Sequence, residues 1–397
     1  MQNNLGNISL LFLSFLLVPQ CLRASGLSKP VNVGPKAIGM GGAFVAIADD
    51  PTAIYHNPAG ITQIKGHQFH LGMDGLITDL SYTPPAGTAE KAKSEFLPVP
   101  SFGYVTDLGS PIFFGLGLFF PHGNGGKFST ASAIPSNANE GQIYSMELSP
   151  TVAWLVIPEL SIGASLRVVR ISSTLKGQAL PTGDVLTDLD LSGWAIGASA
   201  GFLYKPFKFF SIGANYRSQV STKLDGDATF AVAGKLDARL KETLPTLVTA
   251  GIAVTPLENL TIGLSYGFER NSEVKTLTLE LPAVATSIPS PQNWSDSNTI
   301  HLGAEYWVLP PLALRFGYAK DLDGSIPDSA NSRIIGDIAA HEVSAGVAYK
   351  WTRYTFGATW NARFGEREVP VSGTTNIAPG NYDAFVQMIS LGVGINI

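Results

Sequence analysis

An apolar side chain at every second position, repeated in stretch after stretch, restricts the fold of this chain more than any other feature. Near the C-terminus Ile389, Leu391, Val393, Ile395 and Ile397 alternate with Met388, Ser390, Gly392, Gly394 and Asn396. Leu160, Ile162, Ala164, Leu166 and Val168 oppose Ser161, Gly163, Ser165 and Arg167 in the same way. Trp194, Ile196, Ala198, Ala200, Phe202 and Tyr204 oppose Ala195, Gly197, Ser199 and Gly201, and the runs from Leu260 and Tyr354 repeat the split. A period of two marks strands with unlike faces.

A soluble sandwich would also alternate, so the contents of the two faces decide. The apolar face ends in aromatics (Tyr204, Tyr216, Phe268, Tyr306, Tyr318, Tyr349, Trp360), as membrane-interface girdles require. The other face carries isolated charges among glycine and serine, which a dry sandwich core would reject. Only 14% of the residues are charged, against roughly 25% in a soluble domain. Past the N-terminus no run reaches the roughly 18 apolar residues of a membrane helix. A membrane chain without helical spans must pair its backbone in a closed barrel.

The connections agree. Short turns fall at 107–111, 157–159, 206–208, 256–259, 309–311 and 350–353. Long polar loops lie between them, at 83–96, 122–142, 174–190, 223–245, 274–297, 321–340 and 365–383. Short turns at one end and long loops at the other describe an outer-membrane barrel. Seven long loops and six short turns predict about fourteen antiparallel strands over residues 63–397, with both termini periplasmic. Residues 235–247 (KLDARLKETLPTL) read as a short amphipathic helix at the extracellular rim.

Residues 34–60 break the strand rhythm. They are glycine-rich in front, small and apolar in the middle, and close on Asn57-Pro58-Ala59-Gly60. Gly39, Gly41 and Gly42 permit positive φ and close backbone approach, and Asn57 before proline is pushed to extended geometry. Residues 25–62 therefore read as a plug inside the barrel. Residues 1–24 read as a signal peptide: residues 10–18 are apolar, although residues 1–7 carry no Lys or Arg. The single cysteine, Cys21, falls within it.

The stretch from Gly39 to Gly60 resembles the N-terminal hatch of the long-chain fatty acid transporter family (the FadL/TodX type). Gly41-Gly42-Ala43-Phe44, Ala48-Asp49-Asp50 and Asn57-Pro58-Ala59-Gly60 carry the resemblance. It implies a fourteen-stranded barrel plugged by its own N-terminus, in the outer membrane of a Gram-negative bacterium. It also implies passive transport of hydrophobic small molecules such as long-chain fatty acids or hydrocarbons. The hatch would then comprise Gly41, Gly42, Asp49, Asp50, Asn57, Pro58 and Ala59, with the Asn-Pro-Ala tripeptide next to the ligand. Release would follow hatch movement, or run sideways through a wall gap near a kinked strand, with Gly115 and Gly117 as kink sites.

Strand parity puts Arg167, Arg217, Arg315 and Arg363 on the lumen face, with Glu269, Glu305 and Glu342. Ion pairs between wall and plug, involving Asp49 and Asp50, are the plain reading. The functional one has a guanidinium fork hold the carboxylate of an amphipathic ligand. Arg167 is the first candidate because the resembling family holds its ligand head group at that level, and Arg170 is the alternate. Phe119, Phe120 and Phe128 flank the second long loop and suit an apolar ligand.

No cofactor, metal site or catalytic residue is expected. Residues 39–42 lack the preceding strand and trailing Lys-Ser/Thr of a phosphate loop, and His67 and His70 should face opposite sides. The six histidines are scattered, so an enzyme is not expected. Net charge is −5 without a basic block, which excludes a nucleic-acid footprint. The expected partners are the hydrophobic ligand, outer-membrane lipid and lipopolysaccharide, with the protein a monomer. A general diffusion porin is the alternative, and it would need an open, densely charged channel.

Overall fold

In the computed structural model, residues 32–94, 96–128, 139–179, 185–331, 338–371 and 378–397 are described. The signal-peptide expectation (1–24) and residues 25–31 of the expected plug lie outside them.

The chain builds a closed wall of fourteen antiparallel strands. In chain order these are β1 (His67–Thr83), β2 (Phe96–Asp107), β3 (Ile112–Lys127), β4 (Glu140–Ile157), β5 (Leu160–Lys176), β6 (Val185–Phe207) and β7 (Phe210–Arg217). They continue as β8 (Leu247–Leu257), β9 (Leu260–Glu269), β10 (Ser297–Leu309), β11 (Leu312–Asp321), β12 (His341–Trp351), β13 (Tyr354–Val369) and β14 (Gly380–Asn396). The register from Gln68↔Asn396 to Thr83↔Asn381 joins first strand to last and closes the ring. The six short turns sit where the sequence puts them, at the end shared by His67 and Ile397.

The faces also follow parity. Ile162, Leu166, Trp194, Ile196, Phe202, Leu264, Phe316 and Leu391 are exposed on the outside, where lipid lies. Ser165, Arg167, Ser199, Asn215, Arg217, Ser265, Glu305 and Arg315 are buried on the inside. His70 is buried and His67 exposed, as their spacing requires.

The rim helix is not there. Residues Gly234–Leu244 form a strand paired with Val220–Phe230, continuing the wall beyond β7 and β8. The stretch satisfies two periods at once, and the strand period wins. Ala238, Leu240 and Leu244 face inward while Lys235, Asp237, Arg239 and Lys241 face solvent. Cross-strand partners such as Leu224↔Leu240 supply packing that a lone rim helix would lack. The fifth long loop likewise holds a hairpin, Thr276–Leu281 with Thr286–Pro291.

Candidate functional site

The N-terminal segment forms helix α1 (Pro35–Gly39), helix α2 (Ala53–His56) and a 3₁₀ turn (Pro58–Gln63), and it lies inside the ring of strands. Wall glycines make room for it. A Cβ at Gly317 would stand 2.0 Å from Gly41 N, at Gly213 2.3 Å from Val45 O, and at Gly163 2.5 Å from Ala59 N. Gly263 and Gly303 meet Ala43 and Met40 in the same way. Glycine on the lumenal face is thus a contact requirement, met on strands from β5 round to β11. Gly41 (φ 59°) and Gly42 (φ 83°) adopt the left-handed conformations that the sequence suggests.

Hydrogen bonds fix the segment all round. Thr359 donates to Pro35 O (2.7 Å), Ser211 to Ala46 O (2.7 Å) and the His301 ring to Gly41 O (2.7 Å). Asn57 is fully buried; its Nδ2 donates to Val45 O and, across the wall, to Phe202 O, while its Oδ1 accepts from Ala59 N. Pro58 opens the 3₁₀ turn that Asn57 caps. Asp49 pairs with Lys36 (2.9 Å), which also meets Glu305 (2.9 Å) from β10. Asp50 stays within the segment, accepting from Thr52 N.

The lumenal arginines sort into pairs. Arg167 is 2% exposed; its Nε donates to Glu147 (3.0 Å) and its Nη1 to Ser218 O (2.8 Å). Arg217 reaches the same carboxylate at 2.7 Å, donates to Tyr55 O and places its guanidinium 4.0 Å from the Tyr55 ring centre. Glu147, fully buried on β4, is therefore the hub, and the sequence reading passed over it. The signal was available, since Ser145, Ser149 and Thr151 share its parity. Arg315 pairs with Glu305 (2.7 Å) and Arg363 with Asp321 (2.6 Å). A polar cavity of about 100 Å³ beside the segment is lined by Tyr55, His56, Arg217, Glu269, Asp321 and Arg363 among others. Arg167 is not among its lining residues.

Arg170 faces the other way. It lies three residues from Arg167, an odd step that turns it outward onto Trp194, with its guanidinium carbon 5.5 Å from the ring centre. It does not share the lumen with Arg167.

The ladder between β2 and β3 is interrupted. The β2–β3 ladder runs only from Asp107↔Phe113 to Phe102↔Leu118. Above that level β2 stays paired with β1 as far as Phe96, and β3 stays paired with β4 as far as Lys127. The two meet again at Ala92↔Phe128. Pro98 and Pro100 bring no N–H to this stretch of β2, and β3 bulges between Phe119 and His122. At about 3.3 Å per residue, residues 96–101 span roughly 20 Å. Gly115 and Gly117 lie just below, where a Cβ would meet Ile54 and Phe119.

The three candidate phenylalanines bracket this break. Phe119 is buried with Ile54 and Tyr55 in the apolar cluster of the N-terminal segment. Phe128 belongs to a second cluster at the extracellular end, with Leu186, Leu189, Leu224, Leu240, Leu279 and Trp294. Phe120 is half-buried between them.

A buried carboxylate lies on the strand between two members of the extracellular cluster, Leu240 and Leu244. Glu242 is fully buried on its inner face, and Oε2 makes no hydrogen bond. Burial pushes its pKa up from 4.5 to about 8, against the Thr243 N–H that favours the ionised form. The folded state thus holds a proton that the unfolded state releases, and stability falls as pH rises from about 4.5 to about 8. Thermal unfolding at pH 5 and pH 9 should show a clear loss in the parent and a much smaller one in Glu242→Gln.

The matching family model is "Outer membrane protein transport protein (OMPP1/FadL/TodX)", over residues 30–379. The chain belongs to this family. As a family member it is an outer-membrane transport protein, and the open, densely charged lumen of a general porin is not what its wall encloses. A 47 kDa outer membrane protein of Pasteurella multocida is 25% identical over 79% of this chain and 82% of its own length. Outer membrane protein P1 of Haemophilus influenzae is 23% identical over 79% and 81%. Among solved structures, a Pseudomonas aeruginosa FadL homologue superposes with TM-score 0.82 at 16% identity, over 94% of this chain and 100% of that one. The Pseudomonas putida toluene transporter TodX gives 0.76 at 18% identity, over 94% and 99%. At these identities the superpositions establish the fold.

Proposed function

We propose that this FadL/TodX-family protein is a passive channel for hydrophobic small molecules, a transporter and not an enzyme. The ligand enters through the apolar extracellular cluster, passes over the N-terminal segment and leaves sideways through the break between β2 and β3. That break carries the reading, because it lies between the two apolar clusters and is flanked by Phe119, Phe120 and Phe128. The N-terminal segment, residues 25–62 by the sequence reading, serves as the floor of the path and closes the lumen to polar solutes. Its many hydrogen bonds to the wall favour the sideways exit over wholesale displacement.

Arg167, Arg217, Arg315 and Arg363 are each paired with a protein carboxylate. This favours uncharged ligands, aromatic or aliphatic hydrocarbons, over a fatty-acid anion that would have to displace one of them. Extending the β2–β3 register one step brings Ser101 beside Phe119. Oxidised Ser101→Cys/Phe119→Cys should therefore lose uptake of a labelled hydrocarbon into proteoliposomes and recover it on reduction. Uptake indifferent to the disulfide would rule out the sideways path.

A further inference from the structure

Arg170 faces the membrane, and its neighbours give it a role outside the transport path. It is the cross-strand partner of Trp194. Thr222 donates to Trp194 O (2.8 Å), which sets Lys223 alongside, and Lys223 is directly opposite Lys241. One outward row across four adjacent strands thus carries Arg170, Trp194, Lys223 and Lys241.

The row stands at a defined height. Below it, Ile196, Ala198, Ala200, Phe202 and Tyr204 run down the outer face of β6, with Leu166 and Ile162 beside them on β5. From Trp194 to Tyr204 is about 33 Å of strand at 3.3 Å per residue. At a tilt of about 40° this gives a height of about 25 Å, the apolar band of an outer-membrane barrel. The cations therefore sit just above the hydrocarbon, at the level of the outer-leaflet head groups.

The charges are available. Among the described residues Arg170 bonds only Ser192 Oγ (3.1 Å) and the Trp194 face, and Lys241 is in no ion pair. Lys223 touches Glu280 (3.3 Å) and Arg239 touches Asp225 (2.8 Å); the row itself carries three cations and no carboxylate, while Asp190, Asp227 and Asp237 lie farther up the same face. Three strand spacings of about 4.8 Å separate Arg170 from Lys241, roughly 14 Å in all. A single phosphodiester head group does not span that width, whereas a bisphosphorylated disaccharide does. Guanidinium and ammonium groups bind its phosphates, and the indole offers a face for a sugar ring.

We propose that Arg170, Trp194, Lys223 and Lys241 form a binding site for the phosphates of a phosphorylated glycolipid in the outer leaflet. The test is native mass spectrometry of the purified protein titrated with lipid A, fully dephosphorylated lipid A or phosphatidylglycerol. Each cation near the surface is worth about fivefold. Arg170→Gln/Lys223→Gln/Lys241→Gln should therefore bind lipid A about a hundredfold more weakly, and exposed Lys241→Gln alone about fivefold. Arg170→Lys should retain most of the binding. Heat-modifiable gel mobility confirms that each variant is folded, and Lys241→Gln carries the test if the triple variant is not. The proposal fails if the folded variants bind lipid A as the parent does. It fails equally if dephosphorylated lipid A or phosphatidylglycerol binds the parent as well as lipid A.

Discussion

Glu147→Leu is expected to destabilise the protein by about 3–5 kcal/mol, the cost of breaking a buried ion pair by removing one partner. The carboxylate is fully buried and accepts from Arg167 Nε, from Arg217 Nη2 through both oxygens, and from Ser149 Oγ. Leucine fills much of the volume but leaves two guanidiniums, 2% and 3% exposed, without their shared acceptor. Arg217 also holds the carbonyl and ring of Tyr55, so the loss reaches the N-terminal segment as well as the wall. Replacing the whole triad, Glu147→Leu with Arg167→Met and Arg217→Met, should recover most of the stability. No buried charge then remains, and such apolar replacements run from neutral to stabilising. Denaturant unfolding followed by heat-modifiable gel mobility measures both variants. A loss under about 1 kcal/mol in the single variant would mean that water reaches the pair.

Much of this was legible before the structure. The strand count, the six short turns and the two faces follow from period-two alternation, because a closed membrane sheet enforces parity along nearly every strand. The lumenal positions of Arg167, Arg217, Arg315 and Arg363 follow from the same rule. The rule also turns Arg170 outward, so its place as the alternate head-group residue rests on strand height and not on strand face. The rim hairpin Gly234–Leu244 was harder, since leucines at 236, 240 and 244 fit a helix as well as a strand. Only the pairing partner Val220–Phe230 settles it, and that contact is tertiary. Pairing partners were likewise out of reach for the arginines: parity gives a face, whereas the partner depends on register between neighbours. The break between β2 and β3 left a trace in Pro98 and Pro100, yet a proline shows only that a hydrogen bond is missing, not which ladder ends.

Gly317→Val should unseat the N-terminal segment and open the lumen. Here two backbones touch: the added Cβ would stand 2.0 Å from Gly41 N and 2.5 Å from Met40 C. No side chain can rotate away to relieve that. Gly41 cannot retreat easily either, because it sits at φ 59° with its carbonyl held by His301. Overpacking costs about 1–3 kcal/mol where side chains can adjust, and more where main chain is struck. The wall is closed by ladders on both sides of β11, so the segment is the part that must give way. Liposomes containing Gly317→Val should swell with small sugars at the rate of an open channel, while the parent stays near background. Gly267→Val separates displacement from a general dislike of bulk on the lumenal face. Its Cβ would find nothing closer than His301 Nε2 at 3.6 Å, an ordinary contact beside the polar cavity, and its liposomes should stay sealed. Equal sugar flux through both variants, or through neither, would show that the glycine contacts are not what seats the segment.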